Sequence, residues 1–279
     1  MKKLHILMAL LALLPLLPAR AAGPEEEAVL LPILMYHEVR CSRPGKDSIY
    51  PEELEADLRW LQAAGYTAIG MERLIDYVYS GSPLPEKPVI LSFDDGCGSC
   101  YENVLPLLRR YGTTAVLSVI GESTDEFSQY PETGRCYAHM SWKQLRELAE
   151  SGLAELQNHS YALHRLQDGA EGCRPLPGES PADYEARLTE DARLLQQRLL
   201  EETGQAASTY TYPYGFYTDS SHAILAEMGF RATLTCDFGI NRISRDPACL
   251  LGLRRICRSH GCDLAALLEE AASFSGLRP

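Results

Sequence analysis

The sequence predicts an α/β protein, a (β/α) barrel of about seven strands, and three observations carry that prediction. Apolar runs of strand length alternate with amphipathic stretches of helix length about seven or eight times between residues 30 and 274. At residues 88–93, 101–111 and 113–120 the succession of strand, helix and strand is that of a βαβ unit. Removal of a leader after Ala21 leaves 258 of the 279 residues, which suits one large domain with a full-sized core.

Residues 1–21 have the layout of an export signal: Lys2 and Lys3, a leucine-rich core over 6–17, then Ala19-Arg20-Ala21 as a small-x-small cleavage site. Pro15 and Pro18 interrupt the apolar run and argue against a permanent span, while a leader left uncleaved would tether the chain to a membrane. A short tail occupies 22–29, and one domain is expected over 30–279.

Within that domain the run 30–36 reads as a strand ending at His37. Pro51 opens a helix with Leu54, Leu58 and Leu61 on one face, closed by Gly65, and a second helix follows over 71–79. Residues 88–93 form a buried strand that breaks abruptly into Asp94-Asp95-Gly96. The amphipathic stretch 101–111 and the β-branched run 113–120 come next, and the polar, punctuated residues 121–138 read as a loop. Ser141 with Gln144 has the form of a capping box, opening a helix that ends at Gly152. The strand 154–158 delivers His159, with His164 on the following turn. After a Gly-, Pro- and Cys-rich loop over 167–178, Pro181 opens a long helix to Gly204. A strand at 210 breaks into Tyr212-Pro-Tyr-Gly215, and a helix (221–229), two strands (230–236 and 250–257) and a closing helix (263–274) complete the chain.

Composition removes some classes of function. The formal charge of −12 becomes −15 once Lys2, Lys3 and Arg20 are gone, and the remaining basic residues are scattered, so nucleic acid is not the partner. Nine cysteines in an exported chain point to disulfides, with at least one thiol left over. Cys97 and Cys100 form a CxxC, and Cys257 and Cys262 a looser pair. Structural disulfides are expected here in preference to zinc, because the second pair has four intervening residues.

The polar residues at strand ends carry the chemistry. Adjacent residues there can point to different sides, so one of Asp94 and Asp95 could hold a cation while the other takes a proton from water. An isolated Asp-Gly is usually only a turn, and an isolated His37 usually structural. Two imidazoles converging with one aspartate, however, make a metal site with open positions, and His159 and His164 arrive together at another strand end. Tyr212 and Tyr214, at a third, could wall a sugar site.

Leu91-Ser-Phe-Asp-Asp-Gly96, His159-Ser-x-x-x-His164 and Tyr212-Pro-Tyr-Gly215, in that order, resemble the polysaccharide deacetylases of the NodB-homology type, carbohydrate esterase family 4. The three residues between Ser160 and His164 are similar in spacing to the members acting on poly-N-acetylglucosamine of biofilm matrices. The resemblance implies a distorted (β/α) barrel of about seven strands and a divalent metal held by Asp95, His159 and His164. Zinc is the first choice, with cobalt, nickel or iron(II) as alternatives. It also implies Asp94 as the base that deprotonates metal-bound water and the backbone N–H of Tyr214 as the oxyanion donor. The activity so implied is that of an exported, extracytoplasmic hydrolase. Its substrate partner would be an acetylated polysaccharide, an exopolysaccharide or peptidoglycan, from which it removes N-acetyl groups. An O-acetyl esterase and an inactive carbohydrate-binding protein are the alternatives.

The chain departs from the usual pattern at two further places. Thr211 stands where many members carry the arginine that orients the base, and the C-terminal Leu-x-His that supplies the acid is replaced by Leu253-Arg-Arg255, with His260 beyond. Met35-Tyr-His37 looks like the N-terminal stretch that supplies the acid in the biofilm-type enzymes. The acid role therefore goes to His37, with His260 as competitor. His139 and His222 read as structural or surface residues.

Overall fold

The computed structural model describes residues 28–42, 45–130 and 138–277. The export signal expected over 1–21 lies outside the described residues, as does most of the tail. No described helix is long and apolar enough to cross a membrane.

In chain order the strands are β1 (Val29–Leu31), β2 (Ile33–Tyr36), β3 (Glu38–Val39), β4 (Ser48–Ile49), β5 (Thr67–Ala68), β6 (Pro88–Phe93), β7 (Ala115–Val119), β8 (Ala154–Asn158), β9 (Thr209–Thr211), β10 (Ala232–Phe238), β11 (Asn241–Ile243) and β12 (Leu253–Cys257). The helices are α1 (Pro51–Ala63), α2 (Met71–Ser80), α3 (Leu105–Tyr111), α4 (Gly121–Gln129), α5 (Trp142–Glu150), α6 (Pro181–Thr203), α7 (Asp219–Glu227) and α8 (Leu264–Phe274). Seven parallel strands close into a barrel in the order β2, β12, β10, β9, β8, β7, β6, with β6 returning to β2. At the closure Ile33 faces Ile90 and Tyr36 faces Phe93. Because every barrel strand runs the same way, all their carboxyl ends meet at one rim. β5 lies outside the ring beside the start of β6, while β1 with β11 and β3 with β4 make two small separate pairs.

The interior changes character along the strands. Near their amino ends Ile33, Ile90, Val116, Leu234 and Leu253 share an apolar cluster with Met71, Leu74 and Ile75 of α2. The amino end of α2 is docked on β8, where Glu155 accepts the backbone N–H groups of Met71 and Glu72 at 2.7 and 3.2 Å. A carboxylate is favoured at such a terminus by the unpaired N–H groups and the helix dipole. Gly70 permits the approach, since a Cβ there would lie 1.9 Å from a Glu155 oxygen. Further up, hydrogen bonds join strands that are not neighbours and so must cross the interior. Ser118 of β7 meets Thr211 of β9 at 2.7 Å, and Arg255 of β12 meets Ser92 of β6 at 2.9 Å.

Two expectations are corrected. Residues 121–129 are helix α4 rather than loop. The segment has one large apolar residue, Phe127, hence no helical stripe to read. Its order comes from tertiary bonds instead: the N–H groups of Gly121 and Glu122 donate to the Ser160 and Tyr161 carbonyls at 3.1 and 2.8 Å. The second correction concerns disulfides, for the eight described cysteines all carry free thiols. The Cys100 thiol donates to the His37 carbonyl at 3.5 Å and the Cys257 thiol faces Ser259 at 3.8 Å. The Ser141 capping box is present, with the Ser141 N–H on Gln144 Oε1 at 2.9 Å, worth about 1 kcal/mol to α5.

Candidate active site

The two carboxylates after β6 part company because the backbone turns between them. Asp94 extends the strand, its N–H still on the Tyr36 carbonyl at 3.0 Å, and continues the alternation of Ser92 into the barrel. Asp95 takes φ +69°, in the left-handed region that aspartate tolerates better than most residues, and its side chain comes out at the rim. His139 holds the turned backbone, its Nδ1 lying 2.8 Å from the Asp95 carbonyl oxygen.

Asp94 is buried against Arg255, whose Nη1 lies 2.7 Å from its Oδ1. The guanidinium is itself fixed, with Nη1 on Ser92 Oγ at 2.9 Å and Nε on the Thr235 carbonyl at 2.6 Å. Burial alone would raise the Asp94 pKa, but the charges of Arg255 and then His159, with the Arg255 hydrogen bond, hold it below the usual carboxylate range. An arginine thus stands against Asp94 from β12 rather than from position 211. Leu253-Arg-Arg-Ile contained the signal, since strand alternation places Arg255 on the face of the apolar Leu253, where a charge needs a buried partner. Thr211 has other work, as its carbonyl accepts from His159 Nδ1 at 2.8 Å.

That bond orients His159. With Nδ1–H donated to a carbonyl, Nε2 is left facing Asp95 Oδ1, 3.4 Å away. His164 brings its Nε2 to the same oxygen, also at 3.4 Å. The three ligand atoms all lie within 4.8 Å of one another. Asp95 Oδ1 is buried and makes no hydrogen bond with any described residue. An unsatisfied carboxylate oxygen faced by two imidazole nitrogens is a donor set that fits a divalent cation. The two histidines respond oppositely to their surroundings. Burial pushes His164 down to about 4, with the charge of His159 adding to it, whereas His159 is raised because Asp95 and Asp94 outweigh its burial. Burial also raises Asp95, and His159, His164 and His37 together bring it well below the ordinary carboxylate range.

The turn after β9 lies beside this triad. Tyr214 adopts φ +56° and sets its ring 4.2 Å from that of His164, leaving 38% of its surface exposed. Tyr212, expected to face substrate, does not reach the surface. It is fully buried, and its hydroxyl lies 2.9 Å from His222 Nδ1, so both belong to the packing behind the barrel wall. His37 follows the end of β2, the barrel neighbour of the β6 strand that leads into Asp94 and Asp95. His260 is turned instead to Glu53 at the start of α1, Nδ1 to Oε2 2.8 Å. A groove of about 1300 Å³, lined by none of the three triad residues, includes His139 with Tyr101, Phe127, Trp142 and Tyr161.

Residues 81–233, more than half of the chain, match the family described as polysaccharide deacetylase. Over 219 residues, 71% of this chain, the sequence is 27% identical to the poly-beta-1,6-N-acetyl-D-glucosamine N-deacetylase of Escherichia coli (strain K12), and the match spans 32% of that longer protein. The BpsB deacetylase domain from Bordetella bronchiseptica superposes with a TM-score of 0.68 at 28% identity, covering 86% of this chain and 99% of that one. IcaB from Ammonifex degensii gives 0.70 at 26% identity, covering 89% and 97%. The closed seven-stranded barrel is the NodB-type barrel of those structures. The chain belongs to the polysaccharide deacetylase family of hydrolases.

Proposed function

We propose that this protein is an exported, metal-dependent deacetylase that hydrolyses the N-acetyl groups of an N-acetylhexosamine polysaccharide. The observation that carries the reading is the convergence of His159 and His164 on the unpartnered Asp95 Oδ1, with the Arg255-held Asp94 next in sequence. Poly-N-acetylglucosamine is the favoured polymer because the E. coli relative is named for it, although the chain spans only about a third of that relative.

Asp95, His159 and His164 would hold the cation, zinc first. When bound, it supplies Lewis acidity to a water and to the acetyl carbonyl. Asp94, kept ionised by Arg255, accepts the proton that the attacking water loses. The oxyanion of the tetrahedral intermediate receives the backbone N–H of Tyr214, whose turn packs over His164. His37 returns a proton to the departing amine, a role supported by its position at the end of β2, the strand paired with β6. Action outside the cytoplasm rests on the leader at 1–21, and an uncleaved leader would tether the enzyme.

Protein stripped of metal and reloaded separately with zinc, cobalt, nickel or iron(II) should release acetate from N-acetylglucosamine oligomers. O-acetylated xylan is the control. Acetate from xylan alone, or from neither substrate with any metal, would overturn the assignment.

A further inference from the structure

The loop joining His159 to His164 has three residues after Ser160, and both its edges are anchored. On one side the Ser160 and Tyr161 carbonyls accept from the first two N–H groups of α4. On the other, Asp191 of α6 spreads its carboxylate across consecutive backbone amides: Oδ1 takes the Tyr161 N–H at 2.8 Å and Oδ2 the Ala162 N–H at 2.7 Å. The next residue, Ala192, uses its carbonyl to hold Asn158 Nδ2 at 2.9 Å, and Asn158 Oδ1 takes the Ser160 N–H at 2.9 Å. One turn of α6 therefore grips the strand end before His159 and the loop before His164.

Burial pushes the Asp191 carboxyl up to about 6. The nearby Arg187 guanidinium offsets part of this through its charge while its hydrogen bonds go to Glu179 at 2.6 and 2.8 Å. A partly buried carboxylate whose two oxygens are both turned to loop amides exchanges solvent for a fixed backbone geometry. An added residue in this loop would ordinarily give His164 more freedom, and the double grip removes it.

We propose that Asp191 is a positioning residue that sets the spacing of the two histidines, and so the affinity of the Asp95, His159 and His164 site for a divalent cation. The inference rests on the reading of those three residues as cation ligands. Its test therefore measures binding rather than turnover and carries a control for that reading. Zinc affinity is read by competition with a chromogenic chelator in stripped wild-type protein, Asp191→Asn and His164→Ala. The asparagine keeps the shape of the side chain but turns an N–H towards one of the amides. His164→Ala should lose zinc affinity at least a hundredfold. Asp191→Asn should lose about tenfold or more, with an altered cobalt absorption spectrum and faster amide exchange confined to the peptide around 159–164. Wild-type zinc affinity and an unchanged cobalt spectrum in Asp191→Asn, alongside a weakened His164→Ala, would overturn the role of Asp191 alone. Wild-type affinity in His164→Ala would overturn the ligand assignment beneath it. Should Asp191→Asn fail to fold, amide exchange in stripped wild-type protein decides: Tyr161 and Ala162 should be protected, and exchange at the rate of a free loop would contradict the proposal.

Discussion

The lower and upper halves of the barrel interior are built from the same seven strands and do opposite things. Below, Ile33, Ile90, Val116 and Leu253 pack against α2 and bury apolar surface. Above, two residues further along several of the same strands, stand Ser92, Ser118 and Arg255, and beyond Ser92 comes Asp94. Apolar burial is concentrated in the lower half and polarity in the upper, where Ser92, Asp94, Ser118 and Arg255 each have a partner across the barrel. What the difference teaches is that the alternation of a strand can change its chemistry within four residues, so β6 runs from a core residue, Ile90, to a candidate base, Asp94.

Four substitutions sharpen or break this contrast. The largest effect belongs to Asp94→Asn, which should lower kcat for acetate release by about 10²–10⁴-fold while the fold persists, as circular dichroism would check. Full activity would remove the proposed base. Next, Arg255→Met strands a buried carboxylate and should cost about 3–5 kcal/mol in urea unfolding at neutral pH. The sign with pH follows from the lowered Asp94 pKa. The pairing stabilises the fold above the unfolded carboxylate pKa of about 4 and is lost as pH falls through the lower folded value. The deficit of Arg255→Met should therefore shrink towards pH 3.

The lower half should behave the other way. Leu74→Ala in α2, at a fully buried position, should cost about 2–5 kcal/mol of stability yet leave kcat unchanged below its melting temperature. A large loss of kcat in the folded variant would show that the two halves are not separable. The smallest effect is expected from His260→Ala, which breaks a half-exposed pair with Glu53 and should change stability by less than about 1 kcal/mol. A hundredfold loss of kcat there would move the acid role from His37 to His260.

Much of this was legible in the sequence where local pattern and tertiary role agree. The all-buried run of β6, the capping box at Ser141 and the helix from Pro181 all lie where periodicity and turn chemistry put them. Asp95, His159 and His164 come together as the three motifs implied. What escaped was specified by contacts far along the chain. α4 is held by the loop after β8 rather than by an apolar stripe, and Gly121 opens it because a Cβ would meet the Tyr161 ring at 2.4 Å. Arg255 lies 161 residues from the carboxylate it orients. Tyr212 was misread because a tyrosine at a strand end can turn either outward or, as here, back to His222. His139 gave no local sign that it would support the Asp95 backbone.

The central claim is that Asp95, His159 and His164 share one divalent cation. Anomalous scattering from crystals of the protein loaded with zinc tests it most directly. One strong peak should appear about 2.0–2.2 Å from a carboxylate oxygen of Asp95 and from Nε2 of both histidines. A peak bound elsewhere with these three residues unligated, or none at saturating zinc, would contradict the account.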